Sequence, residues 1–88
     1  MKMKDGFLLR EVGGRTVVVP VGAQTVDFHG ILTLNETGAF LWRALQQPAT
    51  AETLTAALLD EYEVTAEKAA ADVERFLAAL REKGLLDE

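Results

Sequence analysis

The side chains able to do chemistry are few and scattered. His29 is the one histidine in 88 residues. A lone imidazole without cysteine or a matching carboxylate motif makes a poor metal site or general base. It reads as a solvent-facing or locally hydrogen-bonded residue. Cysteine and serine are both absent, which removes disulfides, thiolate metal ligands, and cysteine or serine nucleophiles. Gly13-Gly14 fits neither GxGxxG nor the P-loop pattern. The carboxylates of "LLDEYE" (58–63) and of the final "DE" read as solvated helix faces. Lys68, Asp72 and Arg75 share one flank of a helical stretch at i, i+4 and i+3 spacing. Such a row is either a surface held by charge pairs of about 0.2–0.5 kcal/mol each or a surface that reads a partner. The grouped titratable residues of an active site are missing. The expectation is a protein with no catalytic activity, no cofactor and no metal.

The chain is 49% hydrophobic and 26% charged, ordinary for a globular protein, and long enough for one modest core. Residues 1–88 are therefore read as a single domain. Its net charge of −5 is uneven: residues 1–49 hold five bases and four acids, residues 50–88 four bases and ten acids. Phosphate backbones demand clustered Lys and Arg, and the C-terminal half would repel them. No apolar run approaches a membrane span, and "MKMKDGFLLREV" lacks the features of a secretory signal. The reading is cytoplasmic, with no membrane or nucleic-acid partner.

Strand signals come first. "FLLREV" (7–12) and "RTVVVPV" (15–21) flank Gly13-Gly14, a pair suited to a type I′ turn because both positions take positive φ. That register sets Leu8 opposite Val19, Arg10 opposite Val17 and Val12 opposite Arg15. Both faces carry apolar groups, so alternation alone does not choose the core side. Pro20 belongs at a strand end or edge. A third strand is expected from Phe28 to Leu34, with Phe28, Gly30, Leu32 and Leu34 on one side and His29, Ile31 and Thr33 on the other. Gly30 would leave mid-strand backbone uncovered.

The period then changes to helical. Asn35 is a good N-cap and Glu36 suits the positive end of the helix dipole. Leu41, Trp42 and Leu45 follow, and Gly38 is expected to mark close contact between this helix and its neighbour. Thr50 can cap a second helix carrying Leu54, Leu58 and Tyr62. Thr65 caps a third, with Val64 available as a staple against Ala69. Its core face reads Ala66, Ala69, Val73, Phe76, Leu77 and Leu80, and Gly84 with Leu85 suits a Schellman ending. Phe40, Trp42 and Phe76 at this spacing read as core. Order β-β-β-α-α-α closes one core only if sheet and helices pack together. The fold class is thus α+β, winged-helix-like, with an N-terminal three-stranded antiparallel sheet packed on three helices.

"LNETGAFLW" (34–42), "LLDEYEV" (58–64) and "DVERFLAALREKGLL" (72–86) carry a resemblance. The telling pieces are Leu34-Asn35 with Thr37-Gly38 and Trp42, and Asp72-Val73 with Phe76-Leu77, Leu80 and Gly84-Leu85-Leu86. From about Phe7 to Leu86 the chain resembles the PqqD-like proteins, the pyrroloquinoline quinone biosynthesis D group, also called peptide recognition elements of ribosomal peptide-modification pathways. The resemblance implies a non-catalytic adaptor that binds the leader segment of a precursor peptide. It would present that segment to a modifying enzyme, often of the radical S-adenosylmethionine type. The peptide would add as a strand along Phe28, His29, Gly30, Ile31, Leu32 and Thr33. Lys68, Asp72, Arg75, Phe76 and Ala79 of the third helix would face it. An edge strand offers unpaired backbone groups for such an addition.

Two rivals come from other classes. A winged-helix nucleic-acid-binding regulator would need a basic recognition helix, and Glu67, Asp72 and Glu74 stand against Lys68 and Arg75. Alternatively, the same edge would pair with itself, turning a monomer into a dimer.

Overall fold

The computed structural model describes residues 1–21 and 32–88. Strand β1 (Lys2–Met3) is followed by β2 (Phe7–Val12), β3 (Arg15–Pro20) and β4 (Leu32–Leu34). Helices α1 (Glu36–Ala44), α2 (Ala51–Glu61) and α3 (Ala66–Glu82) come next, and β5 (Leu86–Asp87) closes the chain. The architecture is α+β, with the antiparallel sheet β2-β3-β4 packed on three helices in a winged-helix-like arrangement. The third-strand expectation meets the structure at Leu32–Leu34; Phe28, His29, Gly30 and Ile31 lie outside the described residues.

The hairpin takes the register read from its turn, with Leu8 opposite Val19, Arg10 opposite Val17 and Val12 opposite Arg15. Gly13 and Gly14 both have positive φ, as a two-residue loop of this kind needs. Pro20 ends β3, where its missing N–H costs no mid-strand ladder bond. The structure also settles which face meets the core. Val18 is fully buried and Leu9 packs against the core cluster, while Leu8 and Val12 on the opposite face remain 45% and 60% exposed. β4 pairs Leu34 with Thr16, Thr33 with Val17 and Leu32 with Val18. Leu32 and Leu34 therefore share the Val18 side and pack on the core.

Caps start each helix where the sequence places them. The Asn35 side chain accepts from the Gly38 N–H at 2.7 Å. Thr50 and Thr53 form a reciprocal capping box, and the Thr65 hydroxyl accepts from the Lys68 N–H. Helix α3 ends in a Schellman motif. The Leu85 N–H reaches the Leu80 carbonyl and the Gly84 N–H reaches that of Arg81, with Gly84 at φ +71°. Inside lie Leu41, Leu45, Leu54, Leu58, Leu77, Leu80 and Leu85, each at most 1% exposed. Burial of this kind contributes about 1.5–3 kcal/mol per large apolar side chain.

Two departures, at Ala66 and at the chain ends, have physical causes. Ala66 is exposed rather than core: it shares the angular stripe of Ala69 and Val73 but is the first residue of α3, at the end of the helix. The close contact expected at Gly38 is with Leu34 of β4, the neighbouring strand, and with its own cap Asn35. The terminal strands β1 and β5 pair with each other, Met3 with Leu86, and carry Met3 into the core at 3% exposure. Two-residue strands have no period to detect.

Candidate functional site

Strand β4 is an edge of its sheet: β3 lies on one side, and among the described residues no strand lies on the other. A cleft of about 410 Å³ opens beside it. One wall is Leu32, Thr33, Leu34 and Asn35, the strand and the cap that follows it. The base is Thr37, Gly38 and Leu41, the first turns of α1. The facing wall is Asp72, Arg75, Phe76 and Ala79 of α3. No residue of β2 or β3 lines it, so it lies against the edge of β4 that faces away from β3.

The chain builds this cleft by simple means. Asn35 ends the strand and caps α1 in one residue, so β4 runs directly into the helix that forms the base. Gly38 lets that first turn sit close under Leu34. Phe76 and Leu41, both buried, make the interior apolar. Asp72 and Arg75 are the charged groups of the lining.

Asp72 is the most constrained polar group there. Its Oδ2 accepts from Lys68 Nζ at 3.2 Å and its Oδ1 accepts from Arg75 Nη2. The Asp72 side chain is 15% exposed, against 61% for Lys68 and 75% for Arg75. Burial alone would raise the Asp72 carboxyl, but the hydrogen bonds from Lys68 and Arg75, reinforced by their charges, hold it below the usual carboxylate range.

The residues expected at the site are thus partly brought together. Leu32 and Thr33 face Asp72, Arg75, Phe76 and Ala79 across one cleft, and Lys68 is tied to it through Asp72. Phe28, His29, Gly30 and Ile31 lie outside the described residues. Leu34, Asn35, Thr37, Gly38 and Leu41 also line the cleft; the sequence marks them only as a strand end, a cap, a helix start and, for Leu41, a core position.

A second, larger hollow of about 740 Å³ lies on the other side of α1, toward the hairpin turn. Phe40 and Tyr62 meet there edge to face, ring centroids 5.5 Å apart. Burial, with Glu36 and Glu61 nearby, raises the Tyr62 hydroxyl above its usual value against the opposing pull of Arg43. Its charges are mixed, with Glu11, Glu36 and Glu61 beside Arg15 and Arg43. Among the described residues no group of three or more His, Cys, Asp or Glu could hold a metal ion. No helix there is long and apolar enough to cross a membrane.

The family described as Coenzyme PQQ synthesis protein D (PqqD) matches residues 8–86. The solved structure of TbiB1 in complex with the TbiA(beta) leader peptide is similar in fold, with TM-score 0.74 and 24% identity. That match covers 99% of this chain and 95% of the other. Lasso peptide synthetase B1 complexed with the leader peptide has TM-score 0.70 and 20% identity, covering 96% and 93%. No curated protein matches the sequence.

Proposed function

The chain belongs to the PqqD family, and we propose that it is a non-catalytic adaptor that captures the leader segment of a ribosomally made precursor peptide. The segment adds as a strand to the open edge of β4 beside α3, with residues 28–33 as its contacts on the strand side. The observation that carries this reading is the cleft itself, an open strand edge facing a helix wall in which Phe76 and Ala79 stand beside Asp72 and Arg75. Backbone N–H and C=O groups on such an edge give affinity with little sequence demand, and alternate side chains select. The two fold relatives, each solved with a leader peptide, support the same reading.

Presentation to a modifying enzyme, of the radical S-adenosylmethionine type among others, is the second half of the role. The bound peptide would keep its far end free for that enzyme, and the adaptor would supply no reacting group. The acid-rich C-terminal half argues against a phosphate backbone as the alternative occupant.

The test is an amide-resolved NMR titration with the leader segment of a precursor peptide encoded beside this chain. Shifts concentrated on Leu32–Leu34 and on the Asp72–Ala79 wall are expected. Binding of the modifying enzyme with no response of those amides to the peptide would overturn capture and leave a docking subunit.

A further inference from the structure

We infer that the peptide held in this cleft carries an acidic side chain, taken by Arg75 and Lys68, an even number of residues from an apolar side chain that settles against Phe76 and Leu41. The inference rests on the peptide-capture reading and specifies the ligand's chemistry.

The argument starts from what Asp72 already does. Both of its oxygens accept hydrogen bonds, from Lys68 and from Arg75. Arg75 carries five N–H donors in a planar fork, and among the described residues Asp72 is its partner through Nη2. Lys68 likewise pairs with Asp72 and is otherwise open to water. The carboxylate thus anchors two exposed cations, Arg75 in the cleft wall and Lys68 beside it through Asp72. The three groups together carry one net positive charge, on a chain whose net charge is −5.

A basic ligand side chain would have to displace Lys68 or Arg75 from Asp72 before gaining anything. An acidic side chain meets donors already held in place and breaks no existing bond. The fork of an arginine also matches the two oxygens of a carboxylate. One helical turn separates Arg75 from Ala79, with the buried Phe76 ring between them and Leu41 also lining the cleft. The cleft wall therefore changes from cationic to apolar along its length. Side chains on one face of an added strand recur every second residue. The acidic and apolar positions of the ligand consequently lie two or four residues apart.

The test uses the full chain and a displayed library of random dodecapeptides. The enriched peptide is then synthesised with Glu and with Gln at its acidic position. Both are titrated into the wild type and into the doubly neutralised variant K68Q/R75Q, with the amides of Leu32–Leu34 and Phe76 reporting the site. The exposure of Lys68 and Arg75 keeps that variant folded, which a thermal melt checks. Enrichment of Asp or Glu at the stated spacing from Leu, Ile or Phe is expected. Glu→Gln in the peptide should weaken wild-type binding about two- to fivefold at low salt and leave the variant nearly indifferent. Peptides that move the cleft amides without acidic enrichment would overturn this inference while leaving capture intact. So would equal Glu/Gln discrimination by both proteins. If no enriched peptide moves those amides, the capture reading itself fails and this inference falls with it.

Discussion

A Cβ added at Gly38 would lie 3.3 Å from the Cβ of Leu34 and 3.2 Å from the Asn35 Oδ1. Neither neighbour is free to give. Leu34 is held in β4 opposite Thr16, and the Asn35 oxygen is bound to the Gly38 N–H itself. Alanine would improve helix propensity by about 1 kcal/mol, but overpacking of a tight site costs about 1–3 kcal/mol. Gly38→Ala is expected to lower stability by about 1 kcal/mol in urea denaturation and to shift the amides of Leu32–Leu34. A rise in the midpoint would mean that strand and cap relax freely.

The terminal strand β1 makes a second prediction. Met3 is 3% exposed, its N–H donates to the Leu45 carbonyl at 3.0 Å, and Lys4 donates to Leu85. The N-terminus thus fastens the end of α1 to the residues after α3. Met3→Ala should cost about 2–5 kcal/mol, the range for truncating a buried Met or Leu. A change within error of zero would show that this strand is peripheral to the core.

What could be read from the sequence follows from what has a period or a cap. Gly13-Gly14 between two β-rich runs sets a register, and the Leu8–Val19 pairing follows from it. Asn35, Thr50 and Thr65 each start a helix through a local hydrogen bond, so neighbours in sequence suffice to find them. Met3 gave no such signal, because a two-residue strand has no alternation and its partner lies at the other end of the chain. The cleft was half legible. Phe76 and Asp72 stand out on α3, but Leu41 and Gly38 enter it only because β4 turns directly into α1.

Acid stability should report the carboxylates that pair. The hydrogen bond from Arg81 lowers the Glu88 carboxyl, burial opposes, and the charges of Arg81 and the N-terminus reinforce it. Asp72 is lowered through Lys68 and Arg75 despite its burial. A folded-state value below the unfolded one adds stability that is present above the unfolded value, near pH 4. It is lost as pH falls through the folded one. The melting temperature should therefore decline below about pH 4, and Asp72→Asn with Glu88→Gln should make that decline shallower. An unchanged slope in the double variant would assign acid sensitivity to other groups.

Blocking the cleft without touching the core gives the sharpest separation of binding from folding. Phe76 is unsuitable, since it is 8% exposed and its truncation would cost about 3–5 kcal/mol of stability. Ala79 lines the same wall but is only half-buried, three residues further along α3. A tryptophan there would project into the space an added strand must occupy, while its helical backbone stays as it is. Ala79→Trp is expected to weaken leader-peptide binding by about tenfold or more, a loss of roughly 1.4 kcal/mol or greater. The melting temperature should move by only a few degrees, as for a surface change of about 0.5 kcal/mol. Calorimetric titration and a thermal melt on the same sample check both halves. A stable variant that binds as tightly as wild type would move the peptide away from α3. The hollow lined by Phe40 and Tyr62, on the other side of α1, would then be the surface to probe.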